Sequence, residues 1–312
     1  MHLLIPFAAP LSGAGRQTLS TLELPGLQRL LARLAPGQRD AGDAWTLSPP
    51  HERALGRALG WQGADGRLPW AARAAAADGI ATGSQAWGLL SPAHWHVGTD
   101  QVSLIDPAGL MLDDSTSRAL FDAVCELFTS RGFTMLWGSA LRWYLAHDSL
   151  ALLACASLDR VVGRNVDRWL GQDAAVRPLR LLQSEVQMLL YGHPLNEARE
   201  AQGLLPVNSF WLSGCGPAQA VTRAEPAVDL RLRAPALAND WAGWALAWET
   251  LDQGPIADLA AAAERDPTAA LQLTLCGERV AATYGPSRVG TAARWLGQLG
   301  RRSAGQPLLE AL

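Results

Sequence analysis

Residues 114–137, DSTSRALFDAVCELFTSRGFTMLW, decide the fold class of this chain. Asp114-Ser115 can cap a helix, because a short side-chain oxygen there accepts from an unpaired N–H of the first turn. The helix expected over residues 116–130 ends at Gly132, a residue type that adopts the left-handed conformation of a helix end without steric cost. Phe133-Thr134-Met135-Leu136-Trp137 then reads as an apolar run of strand length, suited to burial. A helix leading straight into a buried strand predicts a sheet covered by helices, so the fold class is α/β, a mixed sheet layered with helices.

Toward the N-terminus, Trp95, Val97, Val102, Leu104 and Ile105, broken by Gly98 and Asp100, suit paired strands joined by a tight turn. Residues 51–60 and 70–77 read as helices. Leu19, Leu22, Leu27, Leu30, Leu31 and Leu34 lie near helical spacing, interrupted at Pro25 and ended by Pro36-Gly37, after which a loop is expected. Leu3-Leu4-Ile5 is a short strand closed by Pro6 and Pro10. Toward the C-terminus, 157–170 and 177–190 read as helices, and Pro206 to Leu212 as a strand ending at Gly214-Cys215-Gly216. The Pro/Ala-containing segment 217–227 is the best linker, dividing a main α/β body, 1–216, from a C-terminal α/β part, 217–312, packed on the same body. That part carries a strand at 228–233, a helix around the tryptophans, a hairpin from Leu271 to Tyr284 and a last helix over 290–300. Trp241, Trp244 and Trp248 share one helix face, which suits core or interface packing.

Composition removes whole classes of chemistry. The 26 basic residues are all arginine, so the lysine of a P-loop, of a protein kinase or of a Schiff-base enzyme is missing. Net charge is −3 and the arginines are scattered, which leaves no electrostatic footprint for duplex nucleic acid. No apolar run reaches the roughly 18 residues of a membrane helix, and the start lacks a basic n-region, so a cytoplasmic protein without a membrane partner is expected. Cys125, Cys155, Cys215 and Cys276 show no Cys-x-x-Cys spacing, which suits reduced, mostly buried thiols.

Two segments could carry chemistry. In His94-Trp95-His96, followed by Asp100 and Asp106, residues i and i+2 of a strand share a face roughly 7 Å apart, so both imidazoles could bind one divalent metal or one anion. A metal would need at least one further ligand, and satisfied structural histidines are the competing reading. The stretch from Gln183 to Arg199 gathers Glu185, His193, Asn196 and Arg199 around a helix end, a set able to do acid/base work, clamp a ligand, or form a solvated edge and a capped turn. Asn208 and Trp211 lead into the glycine turn at Gly214-Cys215-Gly216, whose N–H groups could cradle a phosphate.

The combination of Leu47-Ser48-Pro49-Pro50-His51-Glu52-Arg53, Trp87-Gly88-Leu89-Leu90-Ser91-Pro92-Ala93-His94-Trp95, Leu182 to Leu190, and Pro206 to Gly214 resembles a proteobacterial family of regulatory proteins, the type E "regulation of pathogenicity factors" proteins, whose members also carry the description phosphoglycerate mutase. The Asn208 to Gly214 stretch is similar to a segment of archaeal-type cofactor-independent phosphoglycerate mutases, which implies a distant alkaline-phosphatase-like fold. Such enzymes resemble two-metal phosphatases, with an Asp at the end of the first strand, a Ser or Thr nucleophile and further Asp and His ligands. Here the first strand runs into Pro6-Phe7-Ala8-Ala9-Pro10, without that Asp.

Two functions follow as expectations. One is a noncatalytic regulatory protein that binds a small anionic metabolite or a protein partner. The other is a phosphomutase-like or phosphatase-like enzyme using His94, His96, Asp100 and Asp106 as replacement ligands.

Overall fold

The computed structural model of the chain describes residues 1–171, 174–266, 268–286 and 305–312. Among these the strands are β1 (His2–Ile5), β2 (Leu34–Ala41), β3 (Ala86–Ala93), β4 (Trp95–Val97), β5 (Val102–Leu104), β6 (Thr134–Ser139), β7 (Arg142–Ala146), β8 (Ser209–Pro217), β9 (Ala227–Val228), β10 (Gln272–Cys276) and β11 (Val280–Pro286). The helices are α1 (Gly13–Thr21), α2 (Pro25–Leu31), α3 (Pro50–Leu59), α4 (Trp70–Ala77), α5 (Asp114–Thr129), α6 (Leu158–Val161), α7 (Arg177–Leu190), α8 (Pro194–Ala201), α9 (Arg233–Leu237), α10 (Trp241–Leu251), α11 (Ala257–Arg265) and α12 (Gly305–Glu310). The helix expected over 290–300 lies outside the described residues. No helix among the described residues is long and apolar enough to cross a membrane.

The chain forms two compact units that interleave in sequence. The first comprises Met1–Ala44, Pro49–Gly60 and Thr222–Leu312, the second Trp45–Ser48 and Trp61–Val221. The expected division after residue 216 lies close to the chain's return into the first unit at Thr222. The N-terminal segments belong with the C-terminal third because β1 lies between β9 and β10, pairing parallel with both.

The first unit is built on a mixed sheet of order β2-β11-β10-β1-β9, with β11 antiparallel to β10 and β2. Leu4 and Ile5 of β1 are fully buried, as a continuous apolar run must be when both faces of a parallel strand are covered. Residues 34–41, expected as a helix end and loop, are instead the edge strand β2. Pro36 and Gly37 are tolerated there because an edge leaves one side of the backbone outside the ladder. The strand expected at 228–233 is only Ala227–Val228, and α9 begins at Arg233. Trp244 and Trp248 of α10 are fully buried in the core, each worth roughly 1.5–3 kcal/mol in transfer from water. Gly254 and Pro255 break the helical path between α10 and α11, since proline removes a backbone donor. The carboxylate of Asp252, itself buried, accepts from Gly26 N at 2.9 Å and Leu27 N at 2.6 Å, satisfying two orphan donors at the start of α2.

The second unit is an antiparallel sheet of order β6-β7-β3-β8. Strand periodicity sorts its residues by face. Leu90, Trp143 and Leu145 pack with Leu120, Val124 and Phe128 of α5 and Leu182 and Val186 of α7. Trp87, Tyr144 and Ala146 face Ala71, Ala72 and Ala75 of α4. The decisive stretch gives the expected helix and strand with two differences: α5 is capped by Asp113, whose Oδ1 accepts from Thr116 N at 2.8 Å, and β6 is an edge strand in which only Met135 is buried. The Ser115 hydroxyl bond, with those of Thr116 N and Oγ1, holds the Asp113 carboxyl well below the usual carboxylate range. Residues 157–170 do not make one helix. Backbone bridges from Ser103 and Leu104 to Asn165 and Val162, with a left-handed Gly163 at φ 73°, interrupt it, leaving α6 and a 3-10 turn at Val166–Arg168. Strand β8 continues to Pro217 with a bulge at Gly214 and Cys215, where its register against β3 shifts between Leu89 and Trp87, so this stretch is bulged strand rather than an anion-cradling turn. Gly214 is left-handed at φ +64°, and a Cβ there would come within 2.8 Å of Ala71 N at the start of α4.

Candidate functional site

The expected histidines lie at the base of the β4–β5 ribbon, their ring centroids 6.5 Å apart. His94 Nδ1 stands 2.9 Å from the carbonyl oxygen of Pro206. A carbonyl can only accept, so Nδ1 carries a proton in this bond. His96 is exposed. Asp100 is exposed in the ribbon's turn, closed by Gly98 N donating to Gln101 O at 2.9 Å. Asp106 caps a 3-10 turn, Oδ1 accepting from Ala108 N at 3.1 Å. Among the described residues, no group of three or more His, Cys, Asp or Glu side chains is placed to hold a metal ion. Among the described residues, no third His, Cys, Asp or Glu side chain is grouped with His94 and His96.

Several of the other candidates do come together, around the backbone of residues 204–208. Buried Asn196 donates from Nδ2 to Leu190 O at 3.0 Å and Val207 O at 2.8 Å, while its Oδ1 accepts from Val207 N at 2.9 Å. Buried Arg199 donates from Nε to Leu205 O at 3.0 Å and from its terminal nitrogen to Leu110 O. Asn208 brackets Trp95, accepting from its N–H at 2.7 Å and donating to its carbonyl at 3.0 Å. With His94 on Pro206, three of the expected residues satisfy main-chain groups of residues 205–207 at the entry to β8, and Asn208 satisfies those of Trp95. His193 is the N-cap of α8, Nδ1 accepting from Leu195 N at 3.3 Å. Glu185 pairs with Arg131 at 2.7 Å between α7 and the end of α5.

Trp211 is the candidate that leads elsewhere. It is buried, its Nε1 donates to Ala156 O at 2.9 Å, and its ring forms part of a cleft of about 450 Å³, measured out to its open mouth. Strand β8 contributes Phe210, Trp211 and Leu212, the loop before α6 contributes Leu153 to Ala156, and α7 contributes Leu179, Arg180 and Gln183. Trp169, in the same wall, is held by the Arg160 guanidinium 5.0 Å over its ring and by Trp45, whose centroid is 6.2 Å away. Gln183 is buried and donates from Nε2 to Phe210 O at 3.0 Å, tying α7 to β8 at the cleft. Arg180 is exposed and is the sole charged residue in the described wall. The described wall thus combines aromatic rings with one guanidinium at its side.

Sequence reasoning named Trp211 and missed Arg180, Gln183 and Cys155. The signal for Gln183 was present. It stands one turn from Leu179 and beside Leu182 on the apolar face of α7, and a polar residue inside an apolar stripe asks for a partner.

No protein-family model matches the chain, and no curated protein sequence matches it. Two solved structures align along most of its length. One is a cofactor-independent phosphoglycerate mutase from Thermoplasma acidophilum DSM 1728, at 15% identity, covering 92% of this chain and 90% of that chain with a TM-score of 0.38. The other is the PH0037 protein from Pyrococcus horikoshii, at 11% identity, covering 93% and 88% with a TM-score of 0.46. Likenesses of this degree carry nothing about the chemistry of the cleft.

Proposed function

We propose that the chain is a cytoplasmic, regulatory-type binding protein whose second unit takes a small amphipathic anion, an apolar or aromatic body ending in a carboxylate or phosphate. The lining of the cleft beside β8 carries this reading: Trp169, Phe210 and Trp211 supply its aromatic wall and the Arg180 guanidinium its charged group. A noncatalytic role is supported by the commitments of the polar candidates. His94, Asn196, Arg199 and Asn208 hold backbone.

The test is a calorimetric titration of naphthalene-2-carboxylate against its neutral analogue, 2-naphthalenemethanol. Wild type should prefer the carboxylate, and Arg180→Ala should weaken the carboxylate by about fivefold, the loss of about 1 kcal/mol expected of an exposed ion pair. The alcohol should be nearly unaffected. Equal affinities for both compounds in wild type, or an Arg180→Ala variant that binds the carboxylate unchanged, would remove the anion from the account.

A further inference from the structure

The four cysteines are all free, yet two of them meet. Cys155 and Cys215 are separated by 60 residues in sequence, and the structure sets their sulfur atoms 3.6 Å apart, the Cys155 S–H directed at Cys215 Sγ. Absence of a Cys-x-x-Cys spacing therefore hid a tertiary pair. Its two members differ in environment. Cys215 lies on β8 and is fully buried, whereas Cys155 is half-buried and forms part of the wall of the open cleft. Their backbones are held on both sides. Cys155 N donates to Gly66 O at 3.0 Å, and the neighbouring Ala156 O is bonded to Trp211 four residues before Cys215. Gly88 on β3 leaves the space that Cys215 occupies, since a Cβ there would lie 3.3 Å from its Sγ.

We propose that Cys155 and Cys215 form an oxidisable dithiol at the wall of the cleft, closed to an intramolecular disulfide by a hydroperoxide. Cys155, the member reached from solvent, is oxidised first. Its sulfur attacks the distal peroxide oxygen, the O–O bond breaks, and the thiol becomes a sulfenic acid with release of an alcohol, or of water from hydrogen peroxide. The Cys215 thiol then attacks the sulfenic sulfur, the S–S bond forms, the S–O bond breaks, and water leaves with the thiol proton. In sum, two thiols and one hydroperoxide give one disulfide, one alcohol and one water. The sulfur atoms must close by about 1.5 Å to reach the disulfide length of about 2.05 Å. Closure draws Cys155 out of the cleft wall, so it alters the cleft whatever the cleft binds.

The full chain, reduced and freed of reductant, is treated with hydrogen peroxide, alkylated after unfolding and mapped by mass spectrometry. The expected result is a peptide pair joined through Cys155 and Cys215, a loss of two alkylatable thiols that dithiothreitol restores, and intact Cys125 and Cys276. Cys155→Ser should abolish the linked pair and leave Cys215 alkylatable, while Cys215→Ser should leave Cys155 trapped by dimedone as sulfenic acid. The wild-type map decides even if a variant fails to fold. Sulfinic acid at Cys155 with Cys215 still alkylatable, or linkage of either residue to Cys125 or Cys276 instead, overturns the proposal. The readout does not involve the ligand, so its failure is separate from a failure of the binding reading.

Discussion

Replacing Asn196 by alanine separates the two roles that this residue could have. Its amide makes three bonds, to Leu190 O, Val207 O and Val207 N. Leu190 O keeps a second partner, since His193 N also donates to it at 3.2 Å. Val207 has no such reserve: it is completely buried, so water does not replace the lost donor and acceptor. Two stranded backbone groups at about 1–3 kcal/mol each predict a loss of about 3 kcal/mol. In urea, with a slope near 2–3 kcal/mol per molar, the unfolding midpoint should fall by about 1 M. Asn196→Asp should be at least as damaging. It keeps an acceptor for Val207 N but sets a carboxylate against two carbonyls. His96→Ala, at an exposed position, should change stability by less than about 0.5 kcal/mol. An Asn196→Ala protein as stable as His96→Ala would refute the clamp and return Asn196 to the list of ligand contacts.

Two further outcomes test the packing. At Asp40, burial alone would raise the carboxyl, but hydrogen bonds from Arg53 and Arg57, with their charge, outweigh it and hold the group below its ordinary value. A depressed folded pKa contributes stability that is present above about pH 4 and is lost as pH falls through the folded value. Wild type should therefore lose more stability than Asp40→Asn between pH 6 and pH 3, as read by paired urea melts, and parallel losses would exclude the ion pairs as its source. Gly214→Ala should cost more than about 2 kcal/mol in thermal or urea melts. It combines a left-handed backbone with a contact of 2.8 Å to the start of α4; a neutral result would contradict the packing of α4 on β8.

Legibility in the sequence followed the range of the interaction. Local signals were readable: the C-terminal glycine of α5, the apolar stripe of α7, the tryptophan face of α10 and the hairpin of β10 and β11 all rest on contacts a few residues apart, while the cap of α5 lies one residue before the expected Asp114, at Asp113. Residues 34–41 were misread because what makes them a strand is a partner, β11, more than 200 residues away in sequence. Residues 157–170 failed for the same reason, their helix being broken by bridges to β5. The candidate site divided in the same way. Sequence singled out polar residues near turns, and His94, Asn196, Arg199 and Asn208 are indeed gathered, but onto main-chain groups. The cleft depends on side chains from β8, α7 and the loop before α6, and the thiol pair on residues brought together only by the sheet.

The central claim, that the cleft beside β8 is a ligand site, is tested most directly by filling it. Ala154 is half-buried in the wall, so Ala154→Trp adds an indole to the cleft without removing anything from the core. Titrating naphthalene-2-carboxylate into wild type and Ala154→Trp, with circular dichroism confirming that both are folded, should show saturable binding to wild type. In the filled variant, affinity should fall at least about tenfold, equivalent to about 1.4 kcal/mol. Equal affinity in the two proteins, or no saturable binding to wild type at millimolar ligand, would contradict the account.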